Sequence, residues 1–557
     1  MKKILTFILL ATALCVACNK DNVITADLPV ITLEDDTNVF ALKYGESLTL
    51  TPSVKNADRY TWLLDDEVVA TTLSYTFRAT EVGTFYLTFR AENSSAKTER
   101  QMRIEVMELL PPAISFALDA EGVMILLSNR EYTLAPEILN ADDATFDWKI
   151  NGQSLCSQAT YTATFSAGEY DLSLTVTNAD GTATERILLQ VVDRLAGRAY
   201  IPTERNVPLG RTLYLAPTLC NFSAPSYCWA VDGVATSTDE IFAFTPSAEG
   251  NYKITLTLVD TDGYTLTTDI AVACCAAEGC FKRTATATSQ KGWNKVYEYM
   301  PAPGQYINED KSGFDGVTTA EQALAYAERR LTDGKYLSLG GWGGYVVVGF
   351  DHSVENSGDY DFSIAGNMFD GSSEAGIVWV MQDTNGNNLP DDEWYELKGS
   401  EWGSANHSQH YAVTYYRPAA AGMNVQWADN RAAQGRITRN ATHTHDYYYP
   451  AWIDAVNYTL CGSVLAHNTT LDGSGRYVNN PYAWGYADNR GSDADSSASN
   501  GEAMKCYFKI SNAVNRDGSP ANLQYIDFVK VQSAINHVAG GLGEISTEVI
   551  GFEDENM

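Results

Sequence analysis

Apolar and polar residues alternate in three stretches of the first half of the chain. They are Gly83-Thr84-Phe85-Tyr86-Leu87-Thr88-Phe89, Gly168-Glu169-Tyr170-Asp171-Leu172-Ser173-Leu174 and Gly250-Asn251-Tyr252-Lys253-Ile254-Thr255-Leu256. An apolar residue at every second position marks a strand with one face in a core and one in water. Each stretch opens on a glycine about twenty residues after a tryptophan, and Trp62, Trp148 and Trp229 recur at intervals of about eighty residues. Asn178-Ala179-Asp180-Gly181 and Asp260-Thr261-Asp262-Gly263 supply hairpin-turn chemistry. Repeats of this length, built of short alternating strands around a tryptophan, predict three tandem Ig-like β-sandwiches. They fall over 29–108, 112–193 and 196–276, with linkers near Leu110-Pro111-Pro112 and Asp193-Arg194-Leu195. In this reading the tryptophans and tyrosines of the repeats are core residues, and serial sandwiches form a rod that acts as a spacer.

From about Gly279 the repeat stops, and 278–557 reads as one larger domain. Thr318-Thr319-Ala320-Glu321 predicts a capped helix start, with Ala323, Leu324, Ala327 and Leu331 on one face. The remainder reads as strands and loops. Gly340-Gly341-Trp342-Gly343-Gly344 between apolar runs suits a jelly-roll-like antiparallel sandwich. The expected fold class is therefore mainly β: three tandem sandwiches, then a jelly-roll-like β-sandwich domain with a short helix.

The repeats carry residues that resemble PKD (polycystic kidney disease) domains. An aromatic-x-Trp strand appears as Tyr60-Thr61-Trp62, Phe146-Asp147-Trp148 and Tyr227-Cys228-Trp229, followed by the Gly-x-Tyr-type strand quoted above. The resemblance spans about residues 29–276. All three repeats lack histidine, and nothing in them suggests catalysis.

The N-terminus reads as a targeting segment. Lys2 and Lys3 precede an apolar run from Ile4 to Leu14, too short to span a bilayer. The run ends in Leu14-Cys15-Val16-Ala17-Cys18, which resembles the lipobox of bacterial lipoproteins. That resemblance implies a signal peptide over 1–17, acylation of Cys18, a tether over 18–28, and a lipid-anchored, surface-exposed protein of the outer membrane. A formal net charge of −32 argues against nucleic acid and anionic lipid as partners and suits cation binding. An exported compartment permits disulfides. Cys220 could pair with Cys228 and Cys461 with Cys506, while Cys274, Cys275 and Cys280 cluster at a domain junction. Free buried thiols are the alternative, favoured for Cys156.

All seven histidines and eight of the eleven tryptophans lie in the C-terminal half. Its sharpest local motif is Asp383-Thr384-Asn385-Gly386-Asn387-Asn388-Leu389-Pro390-Asp391-Asp392. Oxygen side chains at alternate positions can converge on calcium. Asp383, Asn385 and Asn387 would be side-chain ligands, the Leu389 carbonyl a backbone ligand, and Asp391 or Asp392 would complete the shell. Position twelve is Trp394 rather than glutamate, so this is not a full EF-hand. A polar turn held by Asx hydrogen bonds is the alternative. A second constellation is His443-Thr444-His445-Asp446-Tyr447-Tyr448-Tyr449-Pro450-Ala451-Trp452. Histidines at i and i+2 of a strand would face one way toward a metal or ligand. Tyr448 and Trp452, with Trp342, Trp484 and Tyr486, are candidates for an aromatic binding platform. The alternative packs these aromatics in a core.

Gly340 to His352, the acidic loop, Tyr447 to Trp452, the Trp484 segment and Leu542-Gly543-Glu544-Ile545-Ser546-Thr547-Glu548 together resemble a C-terminal domain of Bacteroidetes surface lipoproteins. The resemblance implies capture of a corrinoid (cobalamin, vitamin B12) for an outer-membrane uptake transporter. A calcium-dependent carbohydrate-binding surface protein is the competing expectation. An enzyme is disfavoured, because no G-x-S-x-G, no H-E-x-x-H and no nucleophile–base set is found.

Overall fold

A computed structural model of the protein describes residues 27–34, 37–495 and 503–557. The signal segment 1–17, Cys18 and the tether up to residue 26 lie outside the described residues. The chain divides into two compact units, one ending at Leu110 and one running from Pro111 to Met557.

The first unit is a β-sandwich. One layer orders its strands Val39–Lys43, Lys97–Met107, Gly83–Glu92, Arg59–Leu64 and Glu67–Ala70. The facing pairs are Val30–Thr32 with Ser53–Lys55 and Ser47–Leu50 with Tyr75–Arg78. The alternating run puts Leu87, Phe89 and Ala91 inside, against a fully buried Trp62. The indole N–H of Trp62 donates to the Thr72 carbonyl at 3.0 Å, which satisfies the one polar atom carried inside. The outer strand Val39–Lys43 pairs in parallel with the last strand, whereas the other ladders are antiparallel.

The same wiring occurs twice more. Val123–Leu127 and Glu204–Pro208 take the place of Val39–Lys43, and each pairs in parallel with the last strand of its own sandwich. Trp148 and Trp229 are fully buried and donate to the carbonyls of Gln158 and Asp239, both at 2.9 Å. The glycines that open the long strands, Gly83, Gly168 and Gly250, have φ of 149, 152 and 140°. Side chains with a Cβ rarely adopt that backbone, which is why glycine recurs there.

The C-terminal domain is antiparallel β structure with its own cores. Its largest sheet orders Lys295–Met300, Tyr345–Glu355, Tyr525–Ser533, Gly376–Met381, Trp394–Leu397 and Ala513–Val514. A three-stranded sheet of Met504–Phe508, Phe362–Gly366 and Gly551–Asp554 contributes Phe362, Ile364, Phe508 and Phe552 to the same core. A four-stranded sheet, Gln434–Ile437, Val425–Asp429, His407–Tyr416 and Asn457–Leu465, encloses a separate aromatic core. The helix spans Ala320–Thr332 and buries Ala323, Tyr326, Ala327 and Leu331. Its capping box lies one residue later than the sequence pattern places it. Thr319 caps the Gln322 N–H, and the Gln322 side chain accepts from the Thr319 N–H. Glutamine performs the reciprocal bond as well as glutamate does.

Within the second unit, the two sandwiches are docked on the C-terminal domain rather than being free spacers. From the second sandwich, Glu137 accepts from Asn424 (2.7 Å) and pairs with Arg436 (2.7 Å), and the Ser115 carbonyl accepts from Gln426. From the third, Arg205 forms a buried ion pair with Glu393, and Arg211 reaches the Ala521 carbonyl (2.6 Å). Asn430 donates to the Leu219 carbonyl at 3.0 Å. The rod expected from the repeats therefore does not describe these two modules. Sequence periodicity reports how each module folds and is silent on which of its faces another domain covers.

All eight described cysteines are unpaired, including Cys220, Cys228, Cys461 and Cys506. Cys506 is fully buried and its thiol donates to the Asn489 carbonyl, in the manner of a small apolar side chain with a weak donor.

Candidate functional site

The acidic loop folds on itself. Asp383 accepts from the Gly386 N–H (2.8 Å) and the Asn388 N–H (3.0 Å), and Asn387 accepts from the Leu389 N–H. Asn385 and Asn387 turn their amide N–H groups toward Asp391 (3.1 and 2.8 Å). Asp392 accepts from the Thr384 N–H and hydroxyl, and burial pushes its carboxyl up to about 7. Asn388 takes φ of 58°, a left-handed position that asparagine tolerates better than most residues. Oxygens that calcium would use already accept N–H groups, so the loop stands here as the Asx-stabilised turn.

The aromatic candidates separate by burial. Trp342, Tyr448 and Tyr486 are at most 2% exposed. Trp342 sits edge-on to Tyr411 and donates to the Ser463 carbonyl. Tyr448 donates to the His443 carbonyl, and the Tyr486 hydroxyl accepts from the Glu401 N–H. These three fill cores and present no platform, which corrects the expectation for them. Their tight surroundings explain why: a Cβ on Gly399 would lie 2.2 Å from the Tyr486 ring. Trp452 is partly buried and stacks on Phe314. His443 and His445 lie in irregular backbone rather than on a strand. Both still turn toward one segment: His443 Nδ1 meets Glu309 at 2.7 Å, and His445 Nε2 meets the Ile307 carbonyl at 2.8 Å.

Trp484 remains accessible, at 37% exposure. It lines a cleft of about 260 Å³ with Tyr360, Tyr507, Lys398, Lys509 and Asp493. The Gly485 N–H donates to Asp493 Oδ2 at 2.6 Å. Asp493 Oδ1 is buried and has no hydrogen-bond partner. The interior around it pushes the Asp493 carboxyl above the ordinary range.

Two groupings escape any local reading of the sequence. His467 and His537 stack face to face, 3.8 Å between ring centres. More notable are Glu374, Asp488 and Glu548, whose ligand-capable oxygens lie within 4.8 Å of one another. Glu374 precedes the strand Gly376–Met381, Asp488 ends the Trp484 stretch, and Glu548 lies in the short strand Glu548–Val549, which pairs with Leu337–Ser338. Asp488 Oδ2 accepts from the Glu548 N–H (3.0 Å), Ser546 donates to Glu548 (2.8 Å), and Asn479 donates to Glu374 (3.1 Å). Burial holds Glu374 and Asp488 well above the usual carboxylate range, with Glu548 acting on both, and pushes Glu548 up to about 7. Nearby Glu544 is pushed up to about 8, again by burial, and its Oε2 has no partner. The groups acting on these four acids are one another, hydroxyls and amides. The segment Leu542 to Glu548, part of the resemblance noted above, is where the last two acids lie, but nothing in its sequence marks them as meeting Glu374.

The fold and these sites define a protein of tandem Ig-like, PKD-like sandwiches carrying a larger β domain. The sequence profile of the PKD-like domain family matches residues 28–93 and 111–178. The third sandwich repeats the strand order of those two. No curated protein matches the chain. Solved structures similar to it include the I-band fragment I67–I69 of titin, with 15% identity, a TM-score of 0.22, and 44% of this chain against 99% of that one. Three N-terminal domains of the bacteriophage RB49 outer capsid protein Hoc give 14% identity, a TM-score of 0.21, and coverage of 45% and 100%. Fibronectin(III)-like modules of Clostridium thermocellum CbhA give 12%, 0.18, and coverage of 29% and 94%.

Proposed function

We propose that this chain is a lipid-anchored surface protein of the outer membrane whose C-terminal domain captures a corrinoid, cobalamin or a relative, for hand-over to an outer-membrane transporter. The observation that carries the reading is the cleft beside Trp484, with a buried acceptor, Asp493 Oδ1, that no protein group satisfies. A corrinoid offers a broad ring for an exposed indole and a fringe of amide arms whose N–H groups fit such an acceptor. The amide oxygens find Lys398 and Lys509. Pockets that enclose a ligand run to roughly 300–1,000 Å³, so a cleft of about 260 Å³ takes only part of the periphery and the ring lies across it. In this reading the domain holds its ligand and does not transform it. A glycan is the second reading, favoured by the same dimensions: a single sugar ring suits the cleft, with an aromatic face and an acceptor for its hydroxyls.

The test is calorimetric titration of the full chain with cyanocobalamin. One site per chain is expected, weakened at least tenfold, about 1.4 kcal/mol, by either Trp484→Ala or Asp493→Asn, with melting unchanged. Absence of heat at high micromolar ligand, together with retention on a glycan matrix that Trp484→Ala abolishes, would transfer the function to the second reading.

A further inference from the structure

We propose that Glu374, Asp488 and Glu548 form a calcium site that fastens the C-terminal tail of the domain to its interior. The three acids come from segments far apart in the chain and bring ligand-capable oxygens within 4.8 Å of one another. Asp488 and Glu548 are each 1% exposed. Carboxylates this close cannot all stay ionised in a protein interior without compensation, so the site must hold either protons or a cation.

A proton shared between Glu374 and Glu548, whose side chains hydrogen-bond to each other, answers part of this charge but leaves Asp488 Oδ1 unanswered. That oxygen is buried and no donor meets it in full hydrogen-bond geometry, although the Asn367 and Met368 N–H groups also act on this carboxyl. A proton placed there would create an O–H donor that itself needs a buried acceptor. A cation needs only the bare oxygen. The Gly366 backbone packs close to this atom, and a Cβ there would come within 2.8 Å of Asp488 Oδ1 and 3.1 Å of the Glu548 carbonyl, so a larger residue at 366 would crowd the acids. The donor set is oxygen alone, the choice of a hard cation. Magnesium gives up its water reluctantly and wants strict octahedral geometry, whereas calcium accepts dry, irregular oxygen cages. Calcium here would reinforce three segments that already touch, the start of strand Gly376–Met381, the end of the Trp484 stretch and Glu548–Val549: the Glu374 N–H donates to the Asp488 carbonyl (2.9 Å) and the Glu548 N–H to Asp488 Oδ2 (3.0 Å). The acidic loop 383–392 is a different place, with its oxygens already engaged.

The experiment strips the full chain of divalent ions with a chelator, then titrates calcium chloride while following heat and thermal unfolding. Expected are one site per chain and a rise of several degrees in the melting of the second unit. Asp488→Asn should abolish both. Asparagine keeps the shape and tolerates the φ of 50° at this position. Glu374→Gln is the second variant, and native far-ultraviolet circular dichroism certifies that each has folded. Asp391→Asn should bind as the wild type does. The proposal is overturned if the stripped chain neither binds calcium nor shifts its melting, if only magnesium acts, or if binding survives Asp488→Asn and disappears in Asp391→Asn.

Discussion

In the first sandwich no polar or charged side chain is buried among the described residues, whereas the C-terminal domain buries Asp361, Asp488, Asp527, Glu396, Glu544 and Glu548 among others. Both regions are β structure with aromatic cores, so the strand architecture does not demand the difference. The sandwich solves one problem, hiding apolar surface, and its single polar intruder is the indole N–H it satisfies locally. The larger domain carries charge inward, and most of that charge has named compensation. Asp527 faces Arg283 (2.9 Å) and Ser353 (2.6 Å), and Asp361 accepts from Ile510 (2.7 Å) and Ser357 (2.6 Å). Against that background Asp488, Asp493 and Glu544 stand apart: each has an unsatisfied oxygen and, unlike Glu393 with its Arg205, no ion-pair partner among the described residues. Buried charge is costly unless paired, so uncompensated acids mark where a ligand or ion is expected.

The contrast can be broken most forcefully at the apolar end. Trp62→Ala empties the centre of the first sandwich and should cost about 3–5 kcal/mol, read by calorimetry as a fall in one transition with the second unit unmoved. A loss spread over both transitions would show that the units are not independent. Next comes Arg205→Ala, which leaves Glu393 buried without its partner. It should destabilise the second unit by about 3 kcal/mol in denaturant titration, and a neutral result would show that this pair adds nothing to docking. The smallest effect concerns His410, 3.4 Å from Thr218 across the same junction, whose pKa is lowered to about 4 by burial and then by Arg516. Between the ordinary histidine value and that figure the unfolded chain takes up a proton the folded chain refuses. Stability therefore falls as pH drops from neutral toward about 5, by about 2 kcal/mol. His410→Asn, which suits a φ of 58°, should flatten that slope relative to wild type in paired melts across the range.

The sandwiches were readable because their evidence is local. Alternation, a tryptophan and a strand-opening glycine all lie within one module, and the positive φ of Gly83, Gly168 and Gly250 gives the glycines a backbone reason. The fold of the larger domain was readable only as a class, since the pairing of Tyr345–Glu355 with Tyr525–Ser533 joins strands with no spacing relation. The site was less legible still. The 383–392 pattern looked sharp because alternating Asp and Asn are conspicuous, yet the same oxygens close Asx turns. Trp484 and Tyr486 sit two residues apart, one accessible and one buried, and period alone does not separate them in an irregular segment. Glu374, Asp488 and Glu548 carry no motif, and only the folded chain brings them together.

The parallel ladder at the edge of each sandwich has a mechanical consequence. In the first, Val39 lies beside Arg103 and Lys43 beside Met107, so the strand that enters and the strand that leaves run side by side in the same direction. Tension applied between the two ends of the module, once the short strand Val30–Thr32 has peeled, loads all the rungs of that ladder in shear at once. They must rupture together, where an antiparallel hairpin pulled from its open end would unzip rung by rung. A module wired this way resists stretching along the chain far better than its modest hydrogen-bond count suggests.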